Sequence, residues 1–351
     1  MKDIYLAQKA VMRRIKKANA KKKALRKRKS MHTKPSNVKT QKREYKFNYF
    51  RNRTYRYDII PQFNLLSNTK ETIASINQIL LLSKNRDCVS IYLNMSKVIS
   101  LDVGALALLL SVINYLSRKS ILIFGNPPLE EKAAAFFSNS GFLDHMTDLQ
   151  GKHFERKANN PNMMFERGFD KTSNKKAGEA IRKAVFYLTG VNGPYQPVYS
   201  IMQEMCANSI EHANARKANK NWLLTVSYEK DKVIFTMTDI GVGILTTLKK
   251  KRSQQLIESI ISVDNVTVLT KAFEKKYLSS TLDENRNKGL PKIKTINQNG
   301  YIEKLKVLTN DVLLCFDDNE SSRTLSSKFK GTFYYWELTK KSIDIWKNRN
   351  L

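Results

Sequence analysis

The chain has 351 residues, 41% of them hydrophobic, which is enough for two modest cores. It carries 62 Lys and Arg against 31 Asp and Glu, a formal charge of +31, and much of that excess is concentrated at the N-terminus. The longest apolar runs, such as residues 105–112, are too short to span a membrane, and no apolar stretch follows the basic N-terminus as a secretory signal would require.

Residues 1–57 read as a basic arm. Arg13, Arg14, Lys16, Lys17, Lys21, Lys22, Lys23, Arg26 and Arg28 are separated by scattered alanines and opposed only by Asp3 and Glu44. Such a segment cannot bury a core alone; it is expected to be disordered, or helical on a polyanion. Nucleic-acid binding through phosphate neutralisation is the functional reading. A solubilising tail or an arm docking on an acidic protein are the alternatives. In residues 43–57, Tyr45, Phe47 and Tyr49 alternate, as do Arg51 and Arg53, which suits a strand. Aromatics interleaved with arginines could stack on unpaired bases, or the strand could open the next domain.

Residues 58–150 alternate helix and strand patterns. Helices are expected over 70–82, 102–118 and 128–138, and buried strands over 88–93 and 120–124. That alternation implies a parallel or mixed sheet with helices packed on it. Residues 151–175 are polar, rich in Asn, Lys and Pro, and read as a linker. Helices follow over 176–189 and 196–213, then strands over 223–228 and 233–238. The interval 245–288 is long for a loop and holds helical pieces over 253–261 and 268–277; it reads as a mobile lid. Strands over 304–309, 312–316 and 332–338 complete an antiparallel set. Cys88, Cys206 and Cys315 are far apart and odd in number, with no zinc spacing, so reduced thiols in a cytoplasmic protein are expected.

Two motifs carry chemistry. Glu204, Asn208 and His212 recur at i, i+4 and i+8 along one side of a helix, while Val198, Met202 and Met205 point elsewhere. An amide oxygen there can hold a divalent cation, and a carboxylate can orient an attacking oxygen. The strand over 233–238 then ends in Asp239, Gly241 and Gly243, an acceptor beside two glycines that permit close backbone approach.

These motifs resemble the N and G1 boxes of the GHKL ATPase superfamily, which includes gyrase B, MutL, heat-shock chaperones, histidine kinases and anti-sigma serine kinases. Residues 286–293 (Arg-Asn-Lys-Gly-Leu-Pro-Lys-Ile) resemble its G2 box, and residues 330–333 (Lys-Gly-Thr-Phe) its final Gly-Thr box. The resemblance covers roughly residues 160–345. It implies a Bergerat-type α/β two-layer sandwich over 176–345 that binds ATP and magnesium. It makes Glu204 the general base and Asn208 the magnesium ligand. Asp239 would read the adenine amino group with help from Thr332, and Gly241 and Gly243 would form the turn beneath the nucleotide. Lys288, Gly289 and Leu290 would face the phosphates. Asn287 stands at a usual glycine position and Pro291 has no N–H, departures that imply binding with slow turnover. His212 is open between a ligand role and packing.

Residues 96–109, around Asp102-Val103-Gly104, resemble the STAS domain of anti-sigma antagonists, and Asn139-Ser140-Gly141-Phe142 resembles its closing turn. Val103 replaces the serine that accepts phosphate in regulatory members, so the familiar phospho-switch is expected to be lost; Asp102 alone would be a helix N-cap. The combined fold class is α/β and α+β: a STAS-like mixed sheet with helices, then the GHKL sandwich. Three functions follow from the resemblance. One is an ATP-binding switch acting on the STAS-like domain or the arm, with a protein partner or a homodimer implied. The second is an anti-sigma-type serine/threonine kinase. The third is a nucleic-acid-binding module with a degenerate ATP site.

Overall fold

The computed structural model describes residues 53–148, 152–155, 160–167, 172–212, 222–250, 263–274 and 289–349. Residues 1–52 of the basic arm, including the alternation expected at Tyr45, Phe47, Tyr49 and Arg51, the helical piece expected over 253–261, the end of the one expected over 268–277, and Asn287 and Lys288 lie outside the described residues.

Three parallel strands, β1 (Thr54–Asp58), β3 (Ser90–Asn94) and β5 (Leu122–Asn126), form one sheet in the order β1-β3-β5. Two short strands, β2 (Gln62–Phe63) and β4 (Ser100–Leu101), pair in parallel beside it. Between them run α1 (Thr69–Leu82) and α2 (Val103–Arg118), and α3 (Glu131–Asn139) follows β5. Asp102 caps α2 as its sequence suggested: one carboxylate oxygen accepts from Ala105 N at 2.7 Å. The other accepts from Leu66 N at 3.0 Å, which ties the entry of α2 to the loop before α1. Burial raises the pKa of this carboxyl, and the backbone donors oppose that shift.

The second sheet is antiparallel throughout, in the order β6-β7-β8-β10-β9: β6 (Met163–Arg167), β7 (Trp222–Glu229), β8 (Lys232–Asp239), β9 (Glu303–Cys315) and β10 (Arg323–Thr339). Alternation along its strands feeds two cores. One face sends Trp222, Phe235, Met237, Tyr334, Trp336 and Leu338 into a core with α4 (Thr172–Thr189), α5 (Gln196–His212), α7 (Asn265–Phe273), α8 (Gly289–Gln298) and α9 (Lys340–Arg349). A short helix, α6 (Ile244–Lys250), follows β8.

The opposite face sends Leu223, Ile234, Leu308, Phe333 and Tyr335 into the same core as α1, α2 and the parallel sheet. Helix α2 lies against β5 and also against β7 and β8, and α1 lies against β10. A helix apolar on every side is one buried on every side, which is why residues 103–113 are buried without a break. The fold is therefore mixed α/β, with a parallel and an antiparallel sheet sharing a helical layer. Among the described residues, no helix is long and apolar enough to cross a membrane.

Several elements differ from the sequence reading. The segment expected to be a linker contributes β6, an edge strand on β7. The strands expected over 304–309 and 312–316 are one strand, β9, kinked where Asn310 takes a left-handed backbone (φ +53°). Strand β10 starts nine residues before the expected 332, at Arg323, and α9 was not foreseen.

Candidate functional site

Helix α5 carries Glu204 and Asn208 one turn apart, while Val198, Met202 and Met205 are buried under the sheet as expected. The Glu204 carboxylate faces the first turn of α8. A Cβ at Gly289 would stand 2.8 Å from Glu204 Oε2, so only glycine admits this approach without a shift. One turn further along α8, Lys292 Nζ donates to Glu204 Oε1 at 3.2 Å. Leu290, half-buried, packs on the core between them. His212 closes α5.

Asn208 points inward. Its Nδ2 and the Tyr334 hydroxyl of β10 are both buried, with no partner beyond one another. The two side chains are neighbours, and Asp239 is close enough for its charge to act on the phenol. Burial is the main cause raising the Tyr334 pKa; the Asp239 charge adds to it and the Asn208 amide opposes it. Buried polar atoms are ordinarily satisfied by the rest of the fold, and here two have only one another.

Asp239 ends β8 opposite Thr332 of β10 and Trp222 of β7. The glycine-bearing loop that follows is held by two adjacent residues of β9. Thr309 Oγ1 accepts from Ile244 N at 2.9 Å and donates to the Gly331 carbonyl at 3.1 Å. Asn310 Nδ2 donates to the Val242 carbonyl at 2.9 Å and to Thr246 Oγ1 at 2.8 Å. Its Oδ1 accepts from Thr246 N at 3.4 Å.

The glycines prove to serve contacts between chain segments. Gly243 has φ +83°, and a side chain there would collide with the Asn310 amide. Gly331 has φ +137°, and a side chain there would strike the Asp239 carbonyl. At Gly241 a Cβ would stand 2.6 Å from Asp239 Oδ1.

Glu204, Asn208, Asp239, Gly241, Gly243, Gly289, Leu290 and Thr332 therefore gather along one face and one end of the antiparallel sheet. Sequence reasoning missed Lys292, Tyr334, Thr309 and Asn310. Lys292 had a usable signal, its i+3 spacing from Gly289 on one helix face. Asn310 had another: asparagine is the ordinary non-glycine residue in a left-handed kink. Nothing local marked Tyr334, which lies inside an apolar strand. Among the described residues, no group of three or more His, Cys, Asp and Glu is placed to hold a metal ion. No family model, curated protein or solved structure matches the chain.

Proposed function

We propose that the protein is an ATP-binding regulatory protein with a GHKL-type site, a STAS-like helical layer behind the sheet, and a basic N-terminal arm that engages nucleic acid. The observation that carries the reading is convergence. Segments far apart in sequence meet at one end of one sheet face: α5 meets the start of α8 at Glu204 and Gly289, and it meets β10 and the end of β8 at Asn208, Tyr334 and Asp239, where the buried Asn208 amide and Tyr334 hydroxyl have no partner beyond one another.

The donor set fits the group. Magnesium keeps several waters and takes its remaining ligands from phosphates, so a single amide such as Asn208 is a sufficient protein contribution. Bound ATP would supply a terminal phosphoryl group for hydrolysis or transfer. Asp239 would accept a hydrogen bond from the base, beside Thr332. Glu204 would hold the proton taken from the attacking oxygen. In the described arrangement Lys292 occupies one oxygen of Glu204, and that oxygen must be released before Glu204 can act. This fits a site that binds tightly and turns over slowly.

Equilibrium binding of labelled ATP with magnesium tests the site. Asp239→Asn keeps the shape but replaces an acceptor with an amide, and should weaken binding by about 1–3 kcal/mol. Equal affinities for the wild-type and substituted proteins would remove the nucleotide reading and leave the nucleic-acid arm as the functional element.

A further inference from the structure

Beside the candidate site, four cations with no carboxylate partner among the described residues lie where β10 crosses the α1–α2 layer. Tyr115, near the C-terminal end of α2, is approached by two lysines. Lys119 Nζ stands 4.4 Å from the ring centroid and Lys330 Nζ 5.2 Å from it. Lys330 Nζ also donates to the Tyr115 hydroxyl at 3.3 Å. Burial pushes the phenol's pKa up, yet the two ammonium groups outweigh it and the net shift is downward.

The strip continues along β10. Lys328 lies two residues from Lys330, so the two are about 7 Å apart along the strand. Its carbonyl accepts from Asn77 Nδ2 of α1 at 2.9 Å. Arg323 reaches Thr69 Oγ1, at the start of α1, at 3.3 Å. These contacts hold the side chains of Lys330 and Arg323, and the backbone of Lys328 between them, along α2 and the flank of α1. Arg323, Lys328, Lys330 and Lys119 are all exposed.

None of these four has a carboxylate partner among the described residues. Elsewhere Lys232, Lys294 and Lys340 meet carboxylates at 2.9, 2.9 and 2.6 Å. Two ammonium groups held at one ring repel each other, and an anion placed near both is attracted by each. An anion repeated along a line is a polyanion, which the chain's charge of +31 also favours.

We propose that Tyr115, Lys119, Arg323, Lys328 and Lys330 form a strip on the folded body that binds the phosphodiester backbone of a nucleic acid, in addition to the N-terminal arm. The strip shares with the proposed function only the nature of this partner and needs no nucleotide site. Contacts to phosphate confer affinity and register rather than sequence preference. Lys330 adjoins Gly331 and Thr332, so a backbone seated here would lie against the strand that also lines the candidate nucleotide site.

The test uses the full chain, with duplex DNA and single-stranded RNA of matched length, titrated across salt. Each phosphate contact contributes about 0.9 to the slope of log affinity against log salt for duplex DNA, and about 0.7 for single strands. The triple substitution Lys119→Ala, Lys328→Ala and Lys330→Ala should make the slope shallower by roughly 2–3 on the preferred nucleic acid. Replacing the three lysines with arginines should preserve it. A charge-matched control, Lys183→Ala, Lys341→Ala and Lys347→Ala, should change it by less than about 1. Thermal melting would verify folding of each variant. A wild-type slope in the alanine triple on both nucleic acids, or an equal change in the control, overturns the strip. Wild-type protein that binds neither at low salt removes the strip and the arm together, while leaving the Asp239→Asn comparison untouched.

Discussion

Replacing Asn310 by alanine should loosen the loop that follows Asp239, and its cost can be assembled from the structure. The substitution removes two well-formed side-chain bonds, to Val242 O at 2.9 Å and to Thr246 Oγ1 at 2.8 Å, and a weaker one from Thr246 N at 3.4 Å. Each good bond contributes about 1 kcal/mol. Residue 310 also sits at φ +53°, where asparagine is tolerated and alanine costs roughly 1 kcal/mol more. The sum is about 3 kcal/mol for Asn310→Ala. Asn310→Gly loses the same bonds without the left-handed penalty, so it should be the milder change, by about 1 kcal/mol. In urea, with a slope near 3 kcal/mol/M for a chain of this size, alanine should move the unfolding midpoint down by about 1 M and glycine by about two thirds of that. Circular dichroism and tryptophan fluorescence should give coincident transitions if the comparison is valid. An alanine variant within about 0.2 M of wild type would show that the clamp contributes nothing. A glycine variant less stable than the alanine one would refute the backbone argument.

Gly104→Val should destabilise by about 1–3 kcal/mol in the same assay, because a Cβ there would already stand 3.1 Å from Phe333 Cζ and 3.2 Å from Leu65 Cδ2. High pH should unfold the protein: burial raises the hydroxyls of Tyr195, Tyr228, Tyr334 and Tyr335, with Tyr228 pushed up to about 12. The folded state holds these protons more tightly than the unfolded chain. Their contribution is complete below the ordinary tyrosine value of 10 and is lost as pH climbs from there through about 12. Tyrosinate absorbance that develops fully before the circular dichroism signal falls would contradict this. Glu204→Ala should leave ATP binding in place and lower any hydrolysis by about 10²–10⁴; unchanged turnover would remove Glu204 from the proposed chemistry.

What the sequence disclosed, it disclosed through local signals. The start of α2 was legible because Asp102 is a capping residue, and the burial of that helix because its apolar residues go all the way round. Strands β7 and β8 were legible because a tight polar turn separates two β-rich runs. Strand β6 was not. An edge strand pairs on one side only, so residues 163–167 need no continuous apolar run to hold their place. The first half of β10 was hidden because only Leu325 and Phe329 are apolar in residues 323–330, which lack both a period-2 alternation and the dense aromatics of residues 333–336. The structure adds a second constraint on two of the glycines. Gly243 and Gly331 are small because Asn310 and the Asp239 carbonyl lie against them, a contact across dozens of residues that no local pattern encodes.

The shared strand β10 gives the candidate site and the α1–α2 layer a common mechanical element. Gly331 crosses at the Asp239 carbonyl, Phe333 enters the core beside Gly104 and Leu65, and Tyr334 turns the other way toward Asn208. Phe333 and Tyr334 are consecutive, so any movement of β10 at one face is felt at the other. A one-residue slip would exchange the two sets of side chains, placing the phenol in the α2 core and Phe333 beneath Asn208, which makes the register strongly specified. Trp336, stacked on Phe235 at 5.5 Å, and the buried Glu337 carboxylate, bonded by Lys232 Nζ at 2.9 Å and by Tyr335 OH at 2.6 Å, hold the far end of the strand. Under the proposed reading, a nucleotide that reorders the loop after Asp239 acts on a strand pinned at residues 336–337. Such a strand yields more readily at its middle, where Lys330 lies beside Tyr115 and Phe333 beside Gly104. The signal from the site to the α1–α2 layer then passes through packed side chains, with no linker between them.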